Sequence, residues 1–342
     1  MKLAIWADCH IGKKQYRTDE NNYNKYEQIG YRTLKEYVKV TKAEKPDLII
    51  NAGDTFEVAN PSVLAMTNYF NAMRDIGDIP TMTILGNHDF NFANKNSKCS
   101  AVGMVEHTYF ADYEIKTEVI NDILFVMMPY IYDTAENIEK YLTLCKDVAK
   151  NSSCHKKILV THGVTEWYYK NSFISDPIML DNDLIELFNL VIIGHIHTPY
   201  NFKYKNTIVI SPGAMIDYQA YEDRTGPIIL DTDTWEWHKI KIKTPHIVKV
   251  DCNETNINDV LKTVNEDIYQ IRYTGNVDAI DNDLFIKAKN KAVNLIIDVV
   301  KVDTQQEEKE VKKTLFNLMD WVSENYSDYK DDFINAKRAI TT

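Results

Sequence analysis

Five of the nine histidines in this 342-residue chain stand where short apolar runs end: His10, His88, His162, His195 and His197. Leu3–Ala7 is followed by Asp8-Cys9-His10, and Leu48–Asn51 leads to Gly53-Asp54. Thr81–Leu85 runs into Gly86-Asn87-His88-Asp89, Ile158–Thr161 into His162-Gly163, and Leu190–Ile193 into Gly194-His195-Ile196-His197. Taken singly, most of these say little, since Gly-Asp after a strand is ordinary turn chemistry. Two are more specific. The segment Gly86–Asp89 ends an apolar run with four small or polar residues, and Gly194–His197 sets two imidazoles on one side of an extended segment, a spacing that suits metal ligation. Carboxylate, imidazole and amide oxygen together suit borderline divalent ions such as Mn²⁺, Fe²⁺ or Zn²⁺. There are more donors than one ion needs, so two ions sharing a carboxylate are expected, with Asp54 the natural bridge. Such a pair activates a water and stabilises the attacking and leaving oxygens of an in-line displacement at phosphorus.

The elements that must position these residues follow from periodicity. Up to about residue 190 the apolar runs, Ile123–Met128 among them, alternate with stretches of helical spacing at 23–43, 62–76 and 135–149. That alternation predicts an α/β fold with helices covering a sheet. In open sheets of this kind, sites form at the carboxyl ends of strands. After His197 the pattern changes: 206–210, 227–231 and 235–242 read as consecutive strands of a second, largely β layer. Past Pro245, 246–251 reads as a strand and 256–266 as a helix. Residues 304–313 are strongly polar, and from Leu315 to Ile340 apolar residues recur at helical spacing. The expected division is 1–244, a smaller α+β unit at 245–303, and a helical segment at 304–342.

The ordered set D-x-H, GD, GNHD, H and G-H-x-H resembles the calcineurin-like metallophosphoesterases. Within them it is similar to the SbcD-type nucleases of double-strand-break processing, especially phage-encoded recombination exonuclease subunits. Asp8-Cys9-His10-Ile11-Gly12 is similar to that branch's D-x-H-L-G. Gly53-Asp54-Thr55-Phe56 is similar to its GD-x-F, and Ser211-Pro212-Gly213-Ala214 to its Y-P-G-S segment. The likeness covers about 1–244. It implies a four-layer α-β-β-α metallophosphoesterase sandwich with an α+β capping domain and a C-terminal helical segment. It also implies a site. One metal ion falls to Asp8, His10, Asp54 and His197, and a second to Asp54, Asn87, His162 and His195. A water held by the metals would attack; His88 would serve the leaving oxygen, with Asp89 orienting its ring. The implied activity is Mn²⁺-dependent DNA hydrolysis (Mg²⁺ or Fe²⁺ as alternatives), as a 3′–5′ double-strand exonuclease and single-strand endonuclease.

Further expectations follow from the resemblance: an SbcC-like ATPase of the SMC family bound through Leu315–Ile340, a homodimer formed through residues such as 62–73 or 97–106, and a bacterial cytoplasm, that of a phage-infected host. Protein phosphatases typically show GNHE with arginines near the core motifs. Here the motif is GNHD and no Arg adjoins Gly53-Asp54 or Gly86-Asn87, which favours a nuclease over a protein phosphatase or nucleotide phosphodiesterase. A non-catalytic DNA-end scaffold fits poorly, because every expected ligand is present. One departure stands out: some members carry His where this chain has Glu57, three positions after the bridging Asp. Read alone, Glu57 is a solvated loop acid.

Charge bounds the rest. With 39 Lys+Arg against 50 Asp+Glu the net charge is −11. That argues against a free-standing basic DNA binder or an anionic-membrane binder. Lys13-Lys14-Gln15-Tyr16-Arg17 follows the D-x-H loop, so Lys13, Lys14, Tyr16 and Arg17 are candidate contacts to a DNA backbone; Lys95 and Lys98 are weaker ones. Five widely spaced cysteines without C-x-x-C argue against a disulfide framework and for a reducing compartment. No apolar run is long enough to span a bilayer.

Overall fold

Two six-stranded sheets lie face to face in the computed structural model, which describes residues 1–15, 24–90, 100–131, 135–166, 168, 179–216 and 226–300. The first sheet contains β1 (Lys2–Trp6), β2 (Leu48–Asn51), β3 (Thr81–Ile84) and β4 (Tyr109–Ala111), all parallel neighbours in that order. The second is built on β5 (Lys116–Ile120), β6 (Ile123–Met128), β7 (Lys156–His162), then, past the short pair β8 (Val164–Thr165) and β9 (Met179–Leu180), β10 (Leu190–Gly194), β11 (Tyr200–Tyr204) and β12 (Thr207–Ser211). Returning to the first sheet, β13 (Ile228–Asp231) pairs antiparallel with β1, and β14 (Trp237–Lys239) with β13.

The apolar runs are nearly unbroken because these strands are buried on both faces. Leu3 and Ile5 of β1 turn toward the second sheet and meet Phe125, Met127, Ile158, Val160 and Ile192 in a central core. Ala4 and Trp6 turn the other way, onto α1 (Lys25–Glu44) and α2 (Val63–Ile76), through Tyr31, Leu34, Ala65 and Tyr69. Val126, Leu159 and Val191 of the second sheet face α3 (Ala135–Asn151), whose Ile138, Leu142, Cys145 and Ala149 repeat at helical spacing. The layers are therefore helix, sheet, sheet, helix. Side chains cap two of these helices: Asn24 accepts from Glu27 N–H at 3.0 Å and Ser62 from Ala65 N–H at 3.1 Å.

Past residue 246, β15 (Ile247–Asn253), β16 (Ile268–Thr274) and β17 (Asn294–Val300) make a parallel three-stranded sheet, crossed by α4 (Ile257–Thr263) and α5 (Asn282–Lys291). Ile257, Leu261 and Ala288 bury against Tyr269, Ile271 and Tyr273. Sequence periodicity missed β4, β5, β11, β16, β17 and α5; the strands among them are half-exposed, so their apolar residues are interrupted. The expected strand 235–242 shortens to Trp237–Lys239, because only these residues have a ladder partner in β13. Residues 304–342 lie outside the described residues. Cys9, Cys145, Cys154 and Cys252 are buried free thiols. Among the described residues no helix is long and apolar enough to cross a membrane.

One packing feature sets a pH dependence remote from the strand ends. The His107 ring is stacked on Phe110 at 5.4 Å; its Nε2 donates to Val102 O at 3.2 Å, and Thr83 Oγ1 lies 3.2 Å from its Nδ1. Burial pushes its pKa down from 6.5 to about 4. The folded state therefore holds a neutral ring while the unfolded chain takes up a proton. Stability from this residue is complete above the unfolded pKa and is lost as pH falls from about 6.5 toward about 4. In urea titrations of the chelated chain, His107→Gln is expected to reduce the stability difference between pH 7 and 4.5 by roughly 2–3 kcal/mol. Equal pH slopes in both proteins would contradict this.

Candidate metal centre

The carboxyl ends of β1, β2, β3, β7 and β10 meet at one edge of the two sheets. Beyond the strands, the β1 and β2 loops stay zipped: Asp8 N–H donates to Gly53 O at 3.0 Å, His10 N–H to Asp54 O at 3.0 Å, and Ile11 N–H to Thr55 O at 2.9 Å. The second sheet is tied on by His162 Nδ1–H donating to Ala52 O at 2.8 Å and His195 N–H to Asp8 Oδ1 at 2.8 Å. Asp8, His10, Asp54 and His195 all have φ between 44° and 93°, a region few non-glycine residues adopt and one where strain collects at functional sites. The flanking glycines are required by contact. A Cβ on Gly86 would lie 2.2 Å from Asp54 Oδ1, and one on Gly53, at φ +94°, 2.5 Å from His162 Nδ1.

The side chains converge in groups. Asp8, His10 and His197 form one, and Asp54, His162 and His195 another, each with ligand atoms within 4.8 Å of one another. His10 Nε2 is 2.9 Å from His197 Nε2. Asn87 Oδ1 lies 3.0 Å from His162 Nε2 and 2.9 Å from His195 Nδ1. Asp54 Oδ2 stands between the groups, 3.6 Å from His10 Nε2 and 3.3 Å from His162 Nε2. Its other oxygen accepts from His88 N–H at 2.8 Å.

Such a set fits divalent cations, and the fit rests on what the protein leaves undone. Imidazoles face one another at hydrogen-bond distance, and Asp8 Oδ2 is buried with no hydrogen-bond partner, a cost a cation would remove. The electrostatics agree. Burial pushes Asp8 up from the usual carboxylate range. Burial also opposes the charge on His162, but Asp54 and Asp8 outweigh it and hold the ring at about 9. Burial and the neighbouring His10 and Lys13 push His197 down to about 3. Asp54 is buried too, yet His162, His10 and His88 hold it below its ordinary value.

Residues 1–199 match the calcineurin-like phosphoesterase family. The chain belongs to that family. It is a metal-dependent phosphoesterase, of a family that works with two metal ions. It is similar to the DNA double-strand break repair protein Mre11 of Methanococcus maripaludis, 26% identical over 283 residues that cover 78% of this chain and 73% of that protein. Mre11 of Methanocaldococcus jannaschii is 23% identical over 266 residues, covering 77% and 66%. A solved protein from Thermus thermophilus has 12% identity and a TM-score of 0.45, covering 71% of this chain and 99% of its own.

In this phosphoesterase two expected roles change. Asp89 does not hold the His88 ring. It is buried, and its oxygens accept from the backbone N–H groups of Thr55, Phe56 and Gly86 at 3.1, 3.0 and 3.0 Å. It joins the β2 loop to the β3 loop and so fixes where Asp54 and Asn87 stand. Burial and nearby Asp54 push its carboxyl up to about 7. The His88 ring is oriented instead by the Glu57 carbonyl, which accepts from His88 Nδ1 at 2.7 Å. The Glu57 side chain is no solvated acid. It is 24% exposed, its carboxylate lies 2.8 Å from His10 Nδ1, and its other oxygen is 3.3 Å from Lys13 Nζ. The His10 contact has the distance of a hydrogen bond without its alignment. Burial raises the Glu57 pKa, but His10 and Lys13 outweigh it and hold it below the ordinary value. His10, Glu57 and His88 form a third group that could hold an ion.

The basic loop is partly neutralised. Lys13 faces Glu57, and Lys14 is 4.0 Å from the buried Glu27. Tyr16, Arg17, Lys95 and Lys98 lie outside the described residues. The position of Glu57, three residues beyond Asp54, marks it in the sequence, but its contacts to His10 and Lys13 do not show there.

Proposed function

We propose that this chain is a DNA nuclease. The carrying observation is the pair of ligand groups with Asp54 Oδ2 within 3.6 Å of a histidine of each, and the half-buried His88 beside them. The similarity to two double-strand-break repair proteins turns the phosphoesterase toward DNA. In this reading Asp8, His10, Asp54 and His197 hold one ion, and Asp54, Asn87, His162 and His195 the other. Bound there, two divalent ions supply an activated water and positive charge for the scissile phosphate. Everything else falls to the chain. Asp54 keeps both groups in one frame. His162 is fixed by Ala52 O so that Nε2 faces inward. His88, with Nδ1 donating to Glu57 O, keeps Nε2 for the phosphodiester and protonates or stabilises the leaving oxygen.

The finer reading is Mn²⁺ as the activating ion, 3′–5′ exonuclease action on duplex DNA and endonuclease action on single strands. An SbcC-like ATPase of the SMC family would supply most of the grip on DNA, in the cytoplasm of a phage-infected bacterium. A homodimer through 62–73 is supported by α2, which leaves Val63, Leu64 and Phe70 exposed at 75%, 50% and 38%. The deciding experiment incubates the purified chain with linear duplex DNA and Mn²⁺, with and without such a partner and ATP. Nucleotide release that chelation abolishes is expected. Release in no combination, alongside brisk phosphopeptide hydrolysis, would turn the reading to a protein phosphatase.

A further inference from the structure

We propose that Lys239, Lys241 and Lys243 form a track for the phosphate backbone of a nucleic-acid strand, leading away from the metal centre. The inference rests on the nuclease reading and adds where the substrate runs. Its origin is a local pattern, Lys239-Ile240-Lys241-Ile242-Lys243, in an extended segment. Lys239 pairs with Ile228, and Ile228 with Ile5. The pattern therefore starts at the carboxyl end of β1, level with the loop that carries Asp8. Ile240 N–H continues the ladder to Pro227 O at 2.9 Å. Ile240 and Ile242 turn inward onto the cluster under α1 and α2, so alternation puts the lysines on the opposite side. Lys241 and Lys243 are exposed.

The first rung is tied to the site. Lys239 Nζ donates to Pro212 O at 2.6 Å, and two residues on Ala214 N–H donates to His197 O at 2.8 Å. A groove of about 320 Å³ opens there, lined by Pro199, Tyr200, Ser211, Trp237, Lys239 and Lys241. Lys241 also lines a second cleft of about 700 Å³, together with Lys243 and Arg32. One lysine thus belongs to both depressions and joins them. Tyr200 and Trp237 give the first groove an aromatic wall on which bases can lie.

Charge selects the occupant. Lys13 and Lys14 face Glu57 and Glu27. Among the described residues, no carboxylate lies within ion-pair distance of Lys241 or Lys243. Two such lysines, Lys241 and Lys243, two residues apart on one side of an extended segment, in a chain of net charge −11, suit an extended polyanion. A lone phosphate would meet one rung. Glu36, Glu266 and Asp267 also line the second cleft, Glu266 paired with Arg32 at 3.7 Å, so the strand's contact ends at Lys243.

The test is fluorescence anisotropy of a labelled single-stranded 12-nucleotide oligothymidylate on the full chain in EDTA, titrated with NaCl. Lys241→Gln with Lys243→Gln is expected to weaken binding roughly tenfold and to make the salt slope shallower by about 1.4, at about 0.7 per phosphate contact on a single strand. A control that removes the same charge from α3, Lys140→Gln with Lys150→Gln, is expected to bind like the parent chain. Equal losses in both double variants would overturn the track and reduce it to net charge. Parent-like binding by the Lys241/Lys243 variant, while the parent chain cleaves DNA with Mn²⁺, sinks the track and leaves the nuclease reading standing. No binding and no cleavage by the parent chain sinks both.

Discussion

His88→Gln is expected to lower DNA cleavage by roughly 10²–10⁴-fold, the range for loss of a general acid, with metal content unchanged. The residue acts on the site in two separable ways. Its backbone N–H donates to Asp54 Oδ1, and that bond survives any side-chain change. Its ring is anchored through Nδ1 to Glu57 O and packs edge-on against His10 at 4.7 Å. Removing the ring therefore takes away the proton donor and leaves Asp54 where it is. Single-turnover cleavage and elemental analysis of the same preparation separate the two. If metal is lost with activity, His88 ligates an ion in the third group with His10 and Glu57, and its assignment to the leaving oxygen fails.

Glu57→Ala is expected to weaken metal binding by roughly 10–100-fold, as for other carboxylates that steady a ligating imidazole. The Tm of the chelated chain is expected to move by only a few degrees. With its carboxylate 2.8 Å from His10 Nδ1, Glu57 favours the tautomer that frees Nε2, the atom facing His197 and Asp54. Its contribution to the metal-free fold is small, because the Lys13 pair is 3.3 Å apart and partly solvated, the His10 contact lacks hydrogen-bond alignment, and that ring is already packed by His88 and His197. Glu57→Gln keeps an acceptor at the same place and is expected to fall between. Competition with a fluorescent chelator measures the affinity. Unchanged affinity together with a large fall in Tm would make Glu57 a structural residue only.

The strands and three long helices were legible because their burial is two-sided or strictly periodic. Leu3–Ala7, Ile158–Thr161 and Leu190–Ile193 are apolar on both faces, and Leu34, Tyr37, Val38 and Thr41 repeat along one face of α1. Strands β11 and β16 alternate apolar and polar residues, Tyr200, Phe202 and Tyr204 in one and Tyr269, Ile271 and Tyr273 in the other, so they lack the unbroken apolar run that marks the core strands, and β17 is half-exposed.

Residue order alone sets which atoms are available for chemistry. Donors of the right kinds sit directly after buried strands, and parallel strands of one sheet bring such ends to one edge; that β7 and β10 belong to a second sheet whose ends share that edge was decided by the packing of the two sheets. Residue order could not decide direction. Asp89 and Glu57 are both loop acids in the sequence; only packing shows that Asp89 satisfies three backbone donors while Glu57 takes His10, Lys13 and, through its carbonyl, His88. Which oxygen of Asp54 faces the ligands depends on a bond to a residue 34 positions away. Likewise Lys13 and Lys241 are equal as letters and differ because an acid from another loop reaches one and not the other. Residue type is local, whereas a hydrogen bond or ion pair needs two groups brought within a few ångströms, and that the tertiary fold alone arranges.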